Sequence, residues 1–305
     1  MSNSLFGPLD DVAGDAGHVD HPPRVGFFTD TSVCIGCKAC EVACKQWNSV
    51  PAGEYIDLLG MSHDNTGELG ANSWRHVAFI EQPSAPSVDL GMPAMELPGA
   101  TRAAGGGDSG GLPPEGDFRW LMSSDVCKHC THAGCLDVCP TGALFRTEFG
   151  TVVVQQDICN GCGYCVSGCP YGVIERRPGD GRAQKCTLCY DRLHDGLEPA
   201  CAKACPTDSI QFGELDELRE RAAARVATLH ERGETSARLY GADPDDGVGG
   251  NGAFFLLLDE PEVYGLPPDP VVPTRDMTRM WGFVGAAAVG FLTAAIGAFV
   301  GRGAR

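Results

Sequence analysis

Sixteen cysteines fall into four groups of four with none left over, and no other feature constrains this 305-residue chain as tightly. The first group, Cys34, Cys37, Cys40 and Cys44, and the third, Cys159, Cys162, Cys165 and Cys169, share the spacing C-x2-C-x2-C-x3-C. The second, Cys127, Cys130, Cys135 and Cys139, has one wider gap, and the fourth, Cys186, Cys189, Cys201 and Cys205, a much wider one. Three chemistries compete for so many thiols: a disulfide framework, structural zinc, or iron-sulfur clusters. Disulfides at this density would close strained small loops. Zinc suits an isolated pair such as Cys186 and Cys189, because C-x2-C is a common zinc half-site. Two runs of the bacterial ferredoxin spacing, and proline directly after Cys139, Cys169 and Cys205, point instead to four 4Fe-4S clusters and to electron transfer.

The spacing has a geometric consequence. Three thiolates on one tight loop wrap a corner of a cubane, with Gly36, Gly161 and Gly163 bringing backbone N–H groups towards its sulfurs. The three-residue spacer then lies on a helical turn, which carries the fourth cysteine across to the neighbouring cluster. The expected ligand sets are therefore exchanged: Cys34, Cys37 and Cys40 with Cys205; Cys186, Cys189 and Cys201 with Cys44; Cys127, Cys130 and Cys135 with Cys169; Cys159, Cys162 and Cys165 with Cys139. Between the second and third groups, apolar residues at 143–146 and 151–154 flank a turn at 147–150, a strand-turn-strand signal. The fold class is thus α+β, with two ferredoxin-like modules, each built for two clusters. His129 and His132 stand inside a group that already has four cysteines, so hydrogen bonding or packing beside the cluster is their expected role. No nucleophile-base pair, Walker loop or dinucleotide fingerprint accompanies the cysteines, and no catalytic residue is assigned.

The rest of the chain is read around that body. The segment 1–26 reads as an N-terminal arm, 27–82 together with 183–240 as the module of groups one and four, and 118–182 as the module of groups two and three. Six prolines and eight glycines mark 83–117 as an insert. Apolar residues three and four apart predict a helix over 214–233, and 253–258 suits a strand within an extension at 241–275. Residues 280–301 carry no charge and would reach about 33 Å as a helix, enough to cross a bilayer. A single transmembrane helix is expected at 276–301, with Gly282, Ala286, Gly290, Ala294 and Ala298 forming a ridge open to a partner helix. A net charge of −17 argues against a nucleic-acid partner. The first 28 residues have no basic stretch ahead of an apolar run, so no cleavable signal is expected.

The stretch Cys34-Ile-Gly-Cys37-Lys-Ala-Cys40-Glu-Val-Ala-Cys44, followed by Gln46-Trp47-Asn48, resembles the first cluster motif of the iron-sulfur (beta) subunits of membrane-bound respiratory formate dehydrogenases. Further matches are Cys159-Asn-Gly-Cys-Gly-Tyr-Cys, Lys185-Cys-Thr-Leu-Cys, Glu198-Pro-Ala-Cys201, Gly247-Val-Gly-Gly and Tyr264-Gly-Leu-Pro-Pro-Asp-Pro270. The cluster motifs are shared by the wider family serving molybdenum and tungsten oxidoreductases, while the 264–270 segment and the single C-terminal helix favour formate dehydrogenase. The resemblance implies a non-catalytic subunit. Its partners would be a large Mo/W-bis-pterin catalytic subunit that oxidises formate and a membrane cytochrome b (gamma) subunit leading to quinone. Retention of cysteine at all sixteen positions is unlike the nitrate-reductase type, where one ligand is replaced. The resemblance also implies clusters on the outer face of the membrane, since flanking arginines at 275, 279, 302 and 305 leave orientation undecided. The same wire serving a hydrogenase or another molybdopterin oxidoreductase, and a membrane-anchored polyferredoxin, remain the alternatives.

Overall fold

The computed structural model describes residues 9, 11–52, 63–64, 66–83 and 118–302. The segment ahead of the first strand is more than an extended arm: Val12 and Ala13 are buried in a short turn, Asp11 accepts the Gly14 N–H at 3.1 Å, and His18 Nε2 meets the Arg146 carbonyl at 2.9 Å. Two buried apolar side chains and the His18 contact hold the segment on the body, where composition alone gave no periodicity.

Strand β1 (Val25–Asp30) is buried from Gly26 onward because its alternate side chains enter two different cores. Helix α1 (Ala39–Trp47) follows a left-handed Lys38 at φ 58° and buries Cys40 and Cys44 one turn apart. Strands β2 (Arg75–Pro83) and β3 (Phe118–Val126) pair antiparallel along their full length, from Arg75 opposite Val126 to Pro83 opposite Phe118. The expected insert at 83–117 lies, apart from Pro83, outside the described residues.

The next stretch is local. Helix α2 (Gly134–Asp137) leads into β4 (Leu144–Arg146) and β5 (Val152–Val154), the anticipated hairpin, whose turn is tied by Thr147 and Thr151 hydroxyls 2.8 Å apart. Helix α3 (Tyr164–Ser167) and the short pair β6 (Glu175–Arg176) and β7 (Ala183–Gln184) repeat the arrangement. Helices α4 (Tyr190–His194) and α5 (Ala200–Lys203) then return the chain to α1.

Strand β8 (Ile210–Glu214) runs antiparallel to β1 and opens directly into α6 (Leu215–Glu231). That helix carries Asp216 and Glu217 in its first turn, where the dipole favours anions, and is followed by Gly233 at φ 96°. Strands β9 (Arg238–Tyr240) and β10 (Ala253–Leu257) complete a four-stranded sheet of order β8-β1-β10-β9, with β1 and β10 parallel and Phe27 level with Ala253. One face of the sheet presents Phe27, Ala253, Phe255 and Leu257 to the cysteine-bearing core. The other presents Phe28, Phe254 and Leu256 to Leu215, Leu218, Ala222 and Leu229 of α6, with Phe28 stacked on Phe254 at 5.4 Å. The stretch 241–275 is thus not a mere extension: it supplies a central strand, because β1 needs a second hydrogen-bonded neighbour once both its faces are covered.

Helix α7 (Met277–Arg302) stands clear of the body, and none of its apolar span Arg279–Phe299 is buried. A helix apolar on every side and free of a protein neighbour has the length and composition to cross a bilayer. The polypeptide reaches it across the second module, where Thr274 donates to an Asp137 carboxylate oxygen at 2.6 Å and Val272 N–H donates to the Gly247 carbonyl at 3.1 Å.

Candidate metal centres

Each cysteine run sits on a loop forced tight by residues in the left-handed region, followed by a helical turn. On the first loop Gly36 has φ 65°, and a Cβ there would come within 2.6 Å of Met122 and Phe79, so glycine is required on two counts. The turns are α1, α2, α3 and α5, each of which carries one cysteine at or near its start and delivers the next about four residues later.

Cys34, Cys37, Cys40 and Cys205 line one cavity, together with Val77, Ser124 and Ile210. Cys40 Sγ lies 3.2 Å from the Ser124 hydroxyl, and Cys205 Sγ lies 3.8 Å from that of Thr207. Cys127, Cys130, Cys135 and Cys169 line a second cavity with Val152, Ile174 and Lys185. Lys185 Nζ donates to Cys127 Sγ at 3.6 Å and to the Cys186 carbonyl at 2.9 Å.

Cys44, Cys186, Cys189 and Cys201 are all buried, and Asn48 Nδ2 reaches both Cys44 Sγ at 3.8 Å and Cys189 Sγ at 3.7 Å. Burial, then the neighbouring Cys201 and Cys189, pushes the Cys44 thiol up to about 12. In the fourth set Cys165 is raised to about 11 by burial and by Cys159, Cys139 and Cys162. Cys139 moves the other way: its modest burial is outweighed by backbone N–H groups of Leu144, Thr141 and Ala143. The middle cysteines of the two ferredoxin-type runs, Cys37 and Cys162, are exposed, whereas every cysteine of the Cys44 set is buried.

Thiols crowded in this way repel one another as thiolates, and they become anionic together only when a cation joins them. Among the described residues no three His, Cys, Asp or Glu side chains are arranged around a single metal ion. Quartets of sulfur around enclosed space, with buried donors close by, fit the larger cubane with its own sulfides. His129 lines the second cavity: its Nδ1 accepts the Val152 N–H at 3.1 Å, burial followed by Lys185 and Arg24 holds the ring neutral, and the buried Nε2–H has no partner among the described residues, in keeping with a donor beside the cluster. His132 packs against Gly249, where a Cβ would come within 2.3 Å of the ring; this is a structural use for the Gly247-Val-Gly-Gly stretch. Segment 248–253 also bonds by backbone to Lys128, His129, Thr131 and His132, clasping the second module's first cysteine loop.

Buried cations near the thiols were not legible in the sequence. Arg75, Lys128 and Lys185 are among the largest fully buried side chains, and nothing in their spacing separates them from surface charges.

Residues 33–143 and 118–215 match two families, each described as a 4Fe-4S dicluster domain. The formate dehydrogenase iron-sulfur subunit of Haemophilus influenzae is 38% identical over 257 residues, covering 83% of this chain and 72% of that protein. The nitrate-inducible formate dehydrogenase iron-sulfur subunit of Escherichia coli is 37% identical over 277 residues, 90% of this chain and 82% of the relative. More distantly, the B subunit of the Escherichia coli anaerobic dimethyl sulfoxide reductase is 33% identical over 199 residues, 65% of this chain and 77% of its own length.

Proposed function

Since this protein belongs to the family of formate dehydrogenase iron-sulfur subunits, electron-transfer subunits of molybdoenzyme complexes, we propose that it conducts electrons from formate oxidation through four 4Fe-4S clusters. The ligands are four cysteine sets: Cys34, Cys37, Cys40 and Cys205; Cys44, Cys186, Cys189 and Cys201; Cys127, Cys130, Cys135 and Cys169; Cys139, Cys159, Cys162 and Cys165. The carrying observation is that two of these exchanged quartets, the Cys34 set and the Cys127 set, each line one common cavity. Each bound cluster supplies one-electron chemistry at a nearly fixed geometry. The protein's own part is to exclude water from the inner sites, to donate hydrogen bonds to sulfur from Asn48 and Lys185, and to leave the two outer sites accessible at Cys37 and Cys162.

Those two openings suit two different partners. The Cys37 opening belongs to the first module and fits a large catalytic subunit with a molybdenum or tungsten pterin. The Cys162 opening belongs to the second module, over which residues 272–274 run to α7, and fits a membrane cytochrome b subunit leading to quinone. The cluster body then lies on the outer face, carried there with its catalytic partner.

Anaerobic purification of the membrane complex tests this reading. About sixteen iron and sixteen sulfide per chain are expected, four of each per cubane. Zinc in place of iron, or about four metals per chain, would overturn it; purification of an iron-replete protein without any large subunit would favour a general redox adaptor.

A further inference from the structure

Arg75 is 2% exposed, and among the described residues no carboxylate pairs with it. A buried guanidinium without a counter-charge is strongly destabilising, so something anionic must face it in the working protein. Its Nη1 is used up on Ser124, donating to the carbonyl at 3.2 Å and to the hydroxyl at 3.0 Å, and the ring of Phe27 lies 5.0 Å below it. Nε and Nη2 are buried and have no hydrogen-bond partner among the described residues. The groups that answer its charge are thiols from two different sets: burial alone would lower the guanidinium, but Cys201, Cys40, Cys186 and Cys44 hold it above its ordinary range. Cys40 belongs to the Cys34 set; the other three belong to the Cys44 set.

We propose that Arg75 is a redox-positioning residue shared by two neighbouring clusters, its Nε–H and Nη2–H donating to sulfurs of the centres held by the Cys34 and Cys44 sets. The inference rests on the cluster reading above. A buried cation stabilises the more negative, reduced state of any cluster it faces, and N–H donors to sulfur act in the same direction. One side chain thereby raises both potentials together, and it is not among the groups that chiefly act on Cys165 of the second module's outer centre, which are burial and Cys159, Cys139 and Cys162.

The test is an EPR-monitored redox titration of the full complex, with iron counted in the same samples. In Arg75→Gln, iron stays at the wild-type level while two of the four midpoint potentials fall, each by at least tenfold in its reduction equilibrium, about 59 mV for one electron. Arg75→Lys keeps the charge but not the planar fork, and shifts the same two centres less. Cys→Ser variants at Cys37 and Cys189 identify which signals these are. An iron-replete R75Q with no shift, or with all four centres shifted alike, overturns the proposal. If R75Q loses iron, R75K decides by the same two outcomes. Absence of iron from the wild type would instead sink the cluster reading itself.

Discussion

The two ferredoxin-like modules use the same loops and helical turns but are closed in opposite ways. In the second the strands pair with sequence neighbours: β4 with β5 across a turn at 147–151, and β6 with β7 a few residues on. The first is assembled from the ends of the sequence, with β1 held between β8 and β10, about 180 and 225 residues away. Among the described residues, only the first module has a helix-backed apolar layer and a cysteine set buried at all four positions. The same cysteine pattern therefore tolerates locally paired strands, whereas the set buried at all four positions belongs to the module whose sheet closes over long range. Local contacts form before distant ones because loop-closure entropy must be met first.

The largest effect expected from this contrast follows removal of 253–305. Without β10 the first module loses its central partner, and iron should drop to about half of the full complement, with the second module's signals intact. Removal of 277–305 is the matching control: iron stays complete and the protein leaves the membrane fraction. Equal iron loss in both truncations would dissolve the distinction between the modules.

Single ligands come next. Cys44→Ser and Cys186→Ser should alter the same paramagnetic centre although 142 positions separate them, while the centre of Cys34 stays largely as it was. Two different centres responding would break the exchanged pairing. Packing changes should then reveal which module bears more of the stability. Phe28→Ala, at a site 0% exposed and stacked on Phe254, should cost about 3–5 kcal/mol. Val154→Ala in the second module should cost about 1.6 kcal/mol, two methylene equivalents. Urea denaturation followed by circular dichroism measures both, and a reversed order would refute the contrast. Smallest of all, Lys203→Ala removes an ion pair to Glu198 of 3.3 Å in which the lysine is 72% exposed, and should move the same transition by no more than about 1 kcal/mol.

Much of this architecture could be read from residue order. Spacing alone placed the helical turns after each loop, since α1, α2, α3 and α5 fall on the three-residue spacers or the residues leading into them. Threonines and a glycine at 147–151 announced the β4–β5 turn, and the leucine and alanine spacing announced α6. The parallel pairing of β1 with β10 was not legible, because a run such as Ala253–Leu257 signals a buried strand but carries no mark of its neighbour. The β2–β3 ladder was missed for a related reason: a long Pro/Gly-rich stretch separates two strands that a hairpin turn would ordinarily advertise. Buried cations escaped altogether, since Arg75 and Lys185 look like any surface charge until the cavities they face are known.

The position of β10 has a consequence for how the protein is made. From the moment residue 30 is synthesised until residue 257 emerges, β1 has no neighbour on one edge, while the locally closed module can already take shape around its own loops. Assembly therefore proceeds from the middle of the sequence outward, and the last strand to arrive is followed within about twenty residues by α7. Closure of the four-stranded sheet beside the Cys44 set thus waits for β10, which leaves the first module open to cluster-loading machinery after the β4–β5 hairpin of the second is already made.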